Sequence, residues 1–229
     1  MLQFTIRKEF RLISMNLKNK VVIVTGASSG IGYATAKAFA LRKAIPVVFA
    51  RRQHLLEELE KELKSIQPKS FAFCGDVTQE KVVIEFVNLV ISKFGKIDIL
   101  VNNAGILKLG KMLDSENYIE ECRDMMETNF LGMVRFAKTV VPQMKKQRYG
   151  VVINMSSVLA FKPFNCLGGF GASVAALTAF NDSLRQELEP HNIRVAIIHP
   201  GLTQTPVLQN YELPKQFKRF TPLTPEYVA

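Results

Sequence analysis

The residues of this 229-residue chain with the clearest chemical potential lie in one stretch, Val21-Val22-Ile23-Val24-Thr25-Gly26-Ala27-Ser28-Ser29-Gly30-Ile31-Gly32. Four β-branched apolar residues predict a strand buried on both faces, and the run stops at Thr25-Gly26. A helix predicted over 31–43 follows. Its first N–H groups have no intrahelical partner and sit at the positive end of the helix dipole, so the turn can cradle an anion such as a phosphate. Glycine at 26, 30 and 32 lets backbone approach that anion or the neighbouring strand. An ordinary tight turn would also use glycines, but the strand before and the helix after favour the cradle. Arg51-Arg52, beyond the next apolar run, adds two guanidinium forks suited to a further phosphate.

These groups need a scaffold, and the chain supplies one by alternating apolar runs with amphipathic stretches. Strands are predicted at 21–25, 46–50, 70–74, 98–101, 151–155 and 194–198. Between them lie helices such as 79–94, where Val83, Phe86, Val87, Val90 and Phe94 share a face. The alternation defines an α/β fold: a single Rossmann-type, doubly wound parallel β-sheet with helices on both faces. Ligands of such a sheet bind beyond the carboxyl ends of its strands, where the strand order reverses. The residues just past each predicted strand are the glycine turn, Arg51-Arg52, Asp76-Val77, Asn102-Asn103-Ala104-Gly105, Ser156-Ser157 and Pro200-Gly201. A dinucleotide fold that prefers NAD would carry an acid after its second strand to meet the ribose 2′-hydroxyl. Arginines there favour NADP.

Composition narrows the function further. With 48% hydrophobic residues the chain can bury one large domain, and no apolar run has membrane-spanning length. The three cysteines (Cys74, Cys122, Cys166) and three histidines (His54, His191, His199) form no metal motif, and an odd, dispersed cysteine set points to a reducing compartment such as the cytoplasm. The net charge is +10, yet only Lys145-Lys146-Arg148 clusters, so an anionic small molecule is a better partner than nucleic acid. Residues 1–14 read as an N-terminal extension, amphipathic or transit-like. Residues 15–229 read as one dinucleotide-binding domain.

Taken together, these motifs resemble the short-chain dehydrogenase/reductase family in its NADP-preferring branch, over residues 17–206. The resemblance implies that Gly26, Ser28, Gly30, Ile31 and Gly32 form the cofactor turn and that Arg51 meets the 2′-phosphate. It assigns Asp76 and Val77 to the adenine, and Asn102, Asn103, Ala104 and Gly105 to the central sheet and the cofactor wall. Pro200, Gly201 and Thr205 are assigned to the nicotinamide. Asn129 matches the asparagine that holds a proton-relay water, and Ser157 the serine that orients the substrate oxygen. Read as plain structure, Asn129 could instead bond a helix kink and Ser157 cap a strand end. Relatives commonly pair two long helices, here 115–146 and 168–189, against symmetry mates, which implies a homodimer or homotetramer. Ala172, Ala176, Leu177, Phe180 and Leu184 would allow close packing there, although core burial explains them too.

One departure outweighs the matches. The family carries a Tyr and, four residues later on the same helix face, a Lys; those positions here are Phe170 and Val174. In the family the Tyr exchanges a proton with the substrate oxygen, while the Lys lowers the Tyr pKa and bonds the nicotinamide ribose. Neither replacement has a hydrogen-bonding or ionisable side-chain group. Lys162 and His199 are positional candidates for a substitute donor, or else a solvated loop residue and a backbone-bonded strand end; Tyr149 and Tyr211 fit less well. The region around Phe161, Phe164, Cys166 and Leu167, with 202–220, would form an apolar substrate pocket. Three functions follow: an NADP(H)-binding protein with a degenerate site, a working carbonyl reductase or alcohol dehydrogenase with another donor, or a structural subunit. Thr224-Pro225-Glu226 predicts a helix start. Relatives continue from there into one more strand, so a six-stranded sheet with an exposed edge is expected.

Overall fold

The computed structural model describes residues 16–209 and 221–229. Its sheet has six parallel strands in the order β3-β2-β1-β4-β5-β6: β1 (Val21–Thr25), β2 (Ile45–Ala50), β3 (Phe71–Cys74), β4 (Ile99–Asn102), β5 (Gly150–Met155) and β6 (Ile193–Ile198). Every predicted strand is present, within one residue at either end. The N-terminal extension, Tyr211 and the 210–220 part of the predicted pocket lie outside the described residues.

The apolar run in β1 divides by the pleat. Val21 and Ile23 enter one core with Phe49, Phe86, Val140 and Leu184, whereas Val22 and Val24 enter a second with Ala36, Leu59 and Val101. Helices α1 (Gly30–Leu41) and α2 (Gln53–Ile66) supply the second core; α3 (Glu80–Phe94), α5 (Gly132–Gln147) and α6 (Gly168–Leu188) supply the first. Pro46 is tolerated inside β2 because Ile45 N–H points to Lys20 on the β1 side. Alternation turns position 46 towards β3, whose pairing begins only at Val47.

The stretch 115–146 is not one helix. It contains α4 (Tyr118–Met125), a single π-helical turn at Met126–Leu131, and then α5. On α6, Leu177 and Leu184 are buried, so the core accounts for two of the residues assigned to a helix pair, while Ala172 is exposed. The chain continues through α7 (Pro206–Gln209) and, after a bridge between Thr203 and Leu223, into α8 (Pro225–Val228). The Thr224 hydroxyl accepts from Tyr227 N–H as the N-cap of α8. Among the described residues β6 pairs only with β5, leaving its outer backbone edge unpaired there, and Arg194, Ala196 and Ile198 are exposed on one face of the sheet.

Candidate active site

The strand order reverses between β1 and β4, and a cleft of about 980 Å³ opens above that point. Of the candidate residues, Gly26, Ser28, Gly30, Ile31, Arg51, Asp76, Val77, Ala104, Gly105, Asn129, Ser157, Phe170, Val174, Pro200, Gly201 and Thr205 line it. Gly32 and Asn102 stand behind its wall.

The glycine turn is held by packing as well as by its opening. Gly26 has φ +65°, and a Cβ there would lie 2.6 Å from Ala104 Cα. A Cβ on Gly32 would collide with Asn103 Nδ2 and lie 2.6 Å from Gly26 O. These two glycines therefore serve the contact between the β1 turn and the β4 turn. Gly30, at φ +59°, packs directly against Thr205, whose Cγ2 a Cβ would meet at 2.9 Å. Ser29 occupies the N-cap of α1, where its carbonyl accepts from Tyr33 N–H at 3.4 Å but its side chain makes no cap bond. The first N–H groups of α1 are thus left for a ligand, as a bound phosphate requires.

Arg52 explains why the Ser29 side chain does not cap the helix. Its Nε and Nη2 donate to Ser28 Oγ at 3.1 and 2.8 Å, and its Nη2 to Ser29 Oγ at 2.6 Å. Arg51 is held more loosely: its side chain is 59% exposed and lies 3.5 Å from the Asp76 carboxylate. Asp76 also accepts from Thr78 N–H at 2.9 Å. The basic side chain most firmly placed over the turn is Arg52, the neighbour of the residue assigned from sequence.

The wall after β4 is tied to β1 through Thr25, which sequence reasoning missed. Asn103 N–H and Ala104 N–H both donate to Thr25 Oγ1 at 3.0 Å, and Asn103 Nδ2 reaches Thr25 O at 3.0 Å. Behind this knot, Asn102 Nδ2 donates to Asn154 Oδ1 and Asn154 Nδ2 to Asn181 Oδ1, a buried amide ladder from β4 through β5 to α6. Asn102 thus braces the sheet from a position outside the cleft.

Asn129 sits in the π-helical turn, almost fully buried. Its Oδ1 accepts from Ile106 N–H at 2.7 Å, and its Nδ2 donates to Ile106 O at 2.9 Å and to Ser173 Oγ at 3.0 Å. The extra residue of the π turn brings this amide to the loop after Gly105, clamping the cleft wall to α6. Ser157 lines the cleft while its hydroxyl also accepts from Leu159 N–H at 3.2 Å, capping the short 3-10 turn at Val158–Ala160.

Phe170 and Val174 both face the cleft from α6, as their spacing of four requires. With Leu107, Leu109, Leu159, Phe164, Leu167 and Leu202, Phe170 forms an apolar chamber at this end. Of the positional substitutes, Lys162 lines the cleft and is exposed, whereas His199 does not line it. The His199 Nδ1 lies 3.1 Å from Ser157 O and its ring packs against Phe161 at 4.6 Å, so it is a backbone-bonded strand-end residue. Tyr149 lies beneath the Lys20 ammonium, away from the cleft. Among the described residues there is no metal-binding cluster and no helix long and apolar enough to cross a membrane.

A parallel, doubly wound sheet with a glycine turn at its switch point defines a Rossmann-type class of protein. Within that class, the family model described as short chain dehydrogenase matches residues 20–216, and the chain belongs to that family. An uncharacterized oxidoreductase of Staphylococcus epidermidis is 33% identical over 202 residues, 88% of this chain and 86% of that protein. The 3-oxoacyl-[acyl-carrier-protein] reductase of Thermotoga maritima is 33% identical over 195 residues, 85% of this chain and 78% of its own length. A short-chain type dehydrogenase/reductase from Mycobacterium marinum superposes with a TM-score of 0.85 at 28% identity, over 93% of this chain and 86% of that one. By this resemblance the chain is an oxidoreductase-type protein.

Proposed function

We propose that this chain binds NADP(H) in the family's manner but has lost the proton-transfer pair, and so holds the dinucleotide without efficient hydride transfer. The observation that carries the reading is that Phe170 and Val174 line the same cleft as the glycine turn and Arg52. One end of the cleft is equipped for a dinucleotide, and the other lacks the family's acid. A xylitol dehydrogenase solved with NAD+ bound has the same fold, with a TM-score of 0.79 at 29% identity.

The first-turn N–H groups of α1 would hold the diphosphate, and Arg52 with Arg51 the 2′-phosphate. A nicotinamide bound near Pro200, Gly201 and Thr205 would supply or accept the hydride. Asn129 would shape the wall through Ile106, and Ser157 could donate to a substrate oxygen once its hydroxyl turns from Leu159 N–H. Phe170 has no proton to give, and Val174 has no charge to stabilise an alkoxide or bond a ribose. The missing acid corresponds to roughly 10²- to 10⁴-fold in rate, and the missing charged hydrogen bond to about 1.5–3 kcal/mol of cofactor binding.

A competing reading, an active carbonyl reductase or alcohol dehydrogenase, rests on Lys162, which lines the cleft and has an amine of the kind a substitute donor needs. Its signature would be wild-type NADPH oxidation that disappears in Lys162→Gln. A homodimer or homotetramer in a reducing compartment such as the cytoplasm completes the main reading. It is supported by the exposed Ile119 and Leu131 along the α4–α5 segment and by three free cysteines. The test of the cofactor assignment is a titration following NADPH and NADH fluorescence. Roughly tenfold or tighter binding of NADPH is expected from a charged 2′-phosphate contact; equal binding, or none, contradicts it.

A further inference from the structure

We infer that the chamber beside Phe170 takes an apolar chain bearing a carboxylate, with Lys162 pairing the carboxylate at the rim. This rests on the reading of positions 170 and 174 as an apolar floor and extends it to the ligand that floor would accept.

The walls are Leu107, Leu109, Phe164, Phe170 and Leu202, gathered around the buried Leu159 and Leu167. None of these side chains carries a hydrogen-bonding group, so a polar ligand body would lose its water without compensation, whereas a hydrocarbon would gain by leaving water. Replacing the family's hydroxyl and ammonium by a phenyl ring and an isopropyl group extends this surface to the base of the cleft.

Charge decides the head group. Among the described residues, four charged side chains line the cleft: Arg51, Arg52, Asp76 and Lys162. Arg51 and Asp76 face each other, and Arg52 is engaged with the serines of the glycine turn. Lys162 is joined in sequence to the chamber by Leu159 on one side and Phe164 on the other, and it forms no ion pair among the described residues. Among the described residues, the one carboxylate lining the cleft thus faces Arg51, and Lys162 is the cleft-lining cation with neither an ion-pair nor a hydrogen-bond partner. A ligand with a cationic head would be repelled there, and one with an alcohol head would leave the ammonium without a counter-charge.

The test is calorimetric titration of the full chain with octanoate and with octan-1-ol, at low and at high salt, alongside NADPH. Octanoate should bind about two- to fivefold more tightly than octanol at low salt, the range for an exposed ion pair, with the advantage fading at high salt. Lys162→Gln should equalise the two ligands, and Leu109→Asp should weaken both. Octanol binding as tightly as octanoate, no binding of either, or an octanoate preference that survives Lys162→Gln would overturn the inference. NADPH binding without octanoate preference would sink this inference alone. Octanoate preference without NADPH binding would sink the cofactor reading instead.

Discussion

The Arg52 guanidinium donates to the Ser29 hydroxyl at 2.6 Å, drawing the N-cap side chain of α1 away from its own helix. The same group bonds Ser28, so one cation spans the lip of the glycine turn. On the reading above, this is the positive charge that meets a 2′-phosphate. Arg52→Gln should weaken NADPH binding roughly tenfold or more while leaving NADH nearly unchanged. Arg51→Gln, at an exposed group already facing Asp76, should cost less. Fluorescence titrations of the two variants with both dinucleotides separate the roles.

Gly26 and Gly95 both have positive φ, +65° and +71°, but only Gly26 is crowded by a neighbouring backbone. Gly95→Ala should therefore cost only the left-handed backbone strain, about 1–2 kcal/mol. Gly26→Ala adds overpacking against Ala104, for roughly 2–5 kcal/mol in all. Urea unfolding of each variant checks the difference.

The alternation of apolar and amphipathic segments made the sheet legible, because a parallel sheet covered on both faces demands apolar runs. The strand-end residues that line the cleft were legible for the same reason: topology fixes where strands end. Other features leave no local mark. The spacing of Met126, Phe130 and Met133 suits an ordinary helix, and the single extra residue of the π turn is set by the tertiary bonds of Asn129 to Ile106. The Thr25 knot and the Asn102–Asn154–Asn181 ladder join residues far apart in sequence. Arg51 and Arg52 are adjacent and identical in type, so only side-chain placement distinguishes them, as it does His199 from Lys162.

Asn129→Ala would leave the Ile106 N–H and C=O without their partner and the Ser173 hydroxyl one bond short. Each lost buried bond costs about 1–3 kcal/mol, moderated by water entering from the cleft. A loss of roughly 2–4 kcal/mol is expected, together with weaker NADPH binding as the wall after Gly105 loosens. Thermal unfolding with and without NADPH reports both effects.

At the opposite end of the sheet, Asp98 pairs with Lys20 at 2.8 Å and Lys96 at 2.9 Å and accepts from Val21 N–H at 2.9 Å. Burial pushes its carboxyl up, but Lys20, the Val21 N–H and Lys96 together outweigh burial and hold it below the ordinary 3.8. Its stabilisation is therefore complete above that value and is lost as pH falls through the lower folded-state value. For Lys20, burial acts downward but is outweighed by Asp98 and Tyr149, and its raised value extends the pair's upper limit beyond pH 10.5. Asp98→Asn should cost roughly 2–4 kcal/mol at neutral pH and flatten the acid limb of the stability curve, measured by urea unfolding between pH 7 and pH 3.

The most direct measurement is NADPH oxidation over a panel of carbonyl substrates, comparing wild type with the double variant Phe170→Tyr, Val174→Lys. NADPH binding by each sample confirms that its site is formed. The account predicts binding by both proteins, little or no oxidation by wild type, and a gain of roughly 10²-fold or more in the double variant. Robust turnover by the wild-type protein would contradict it.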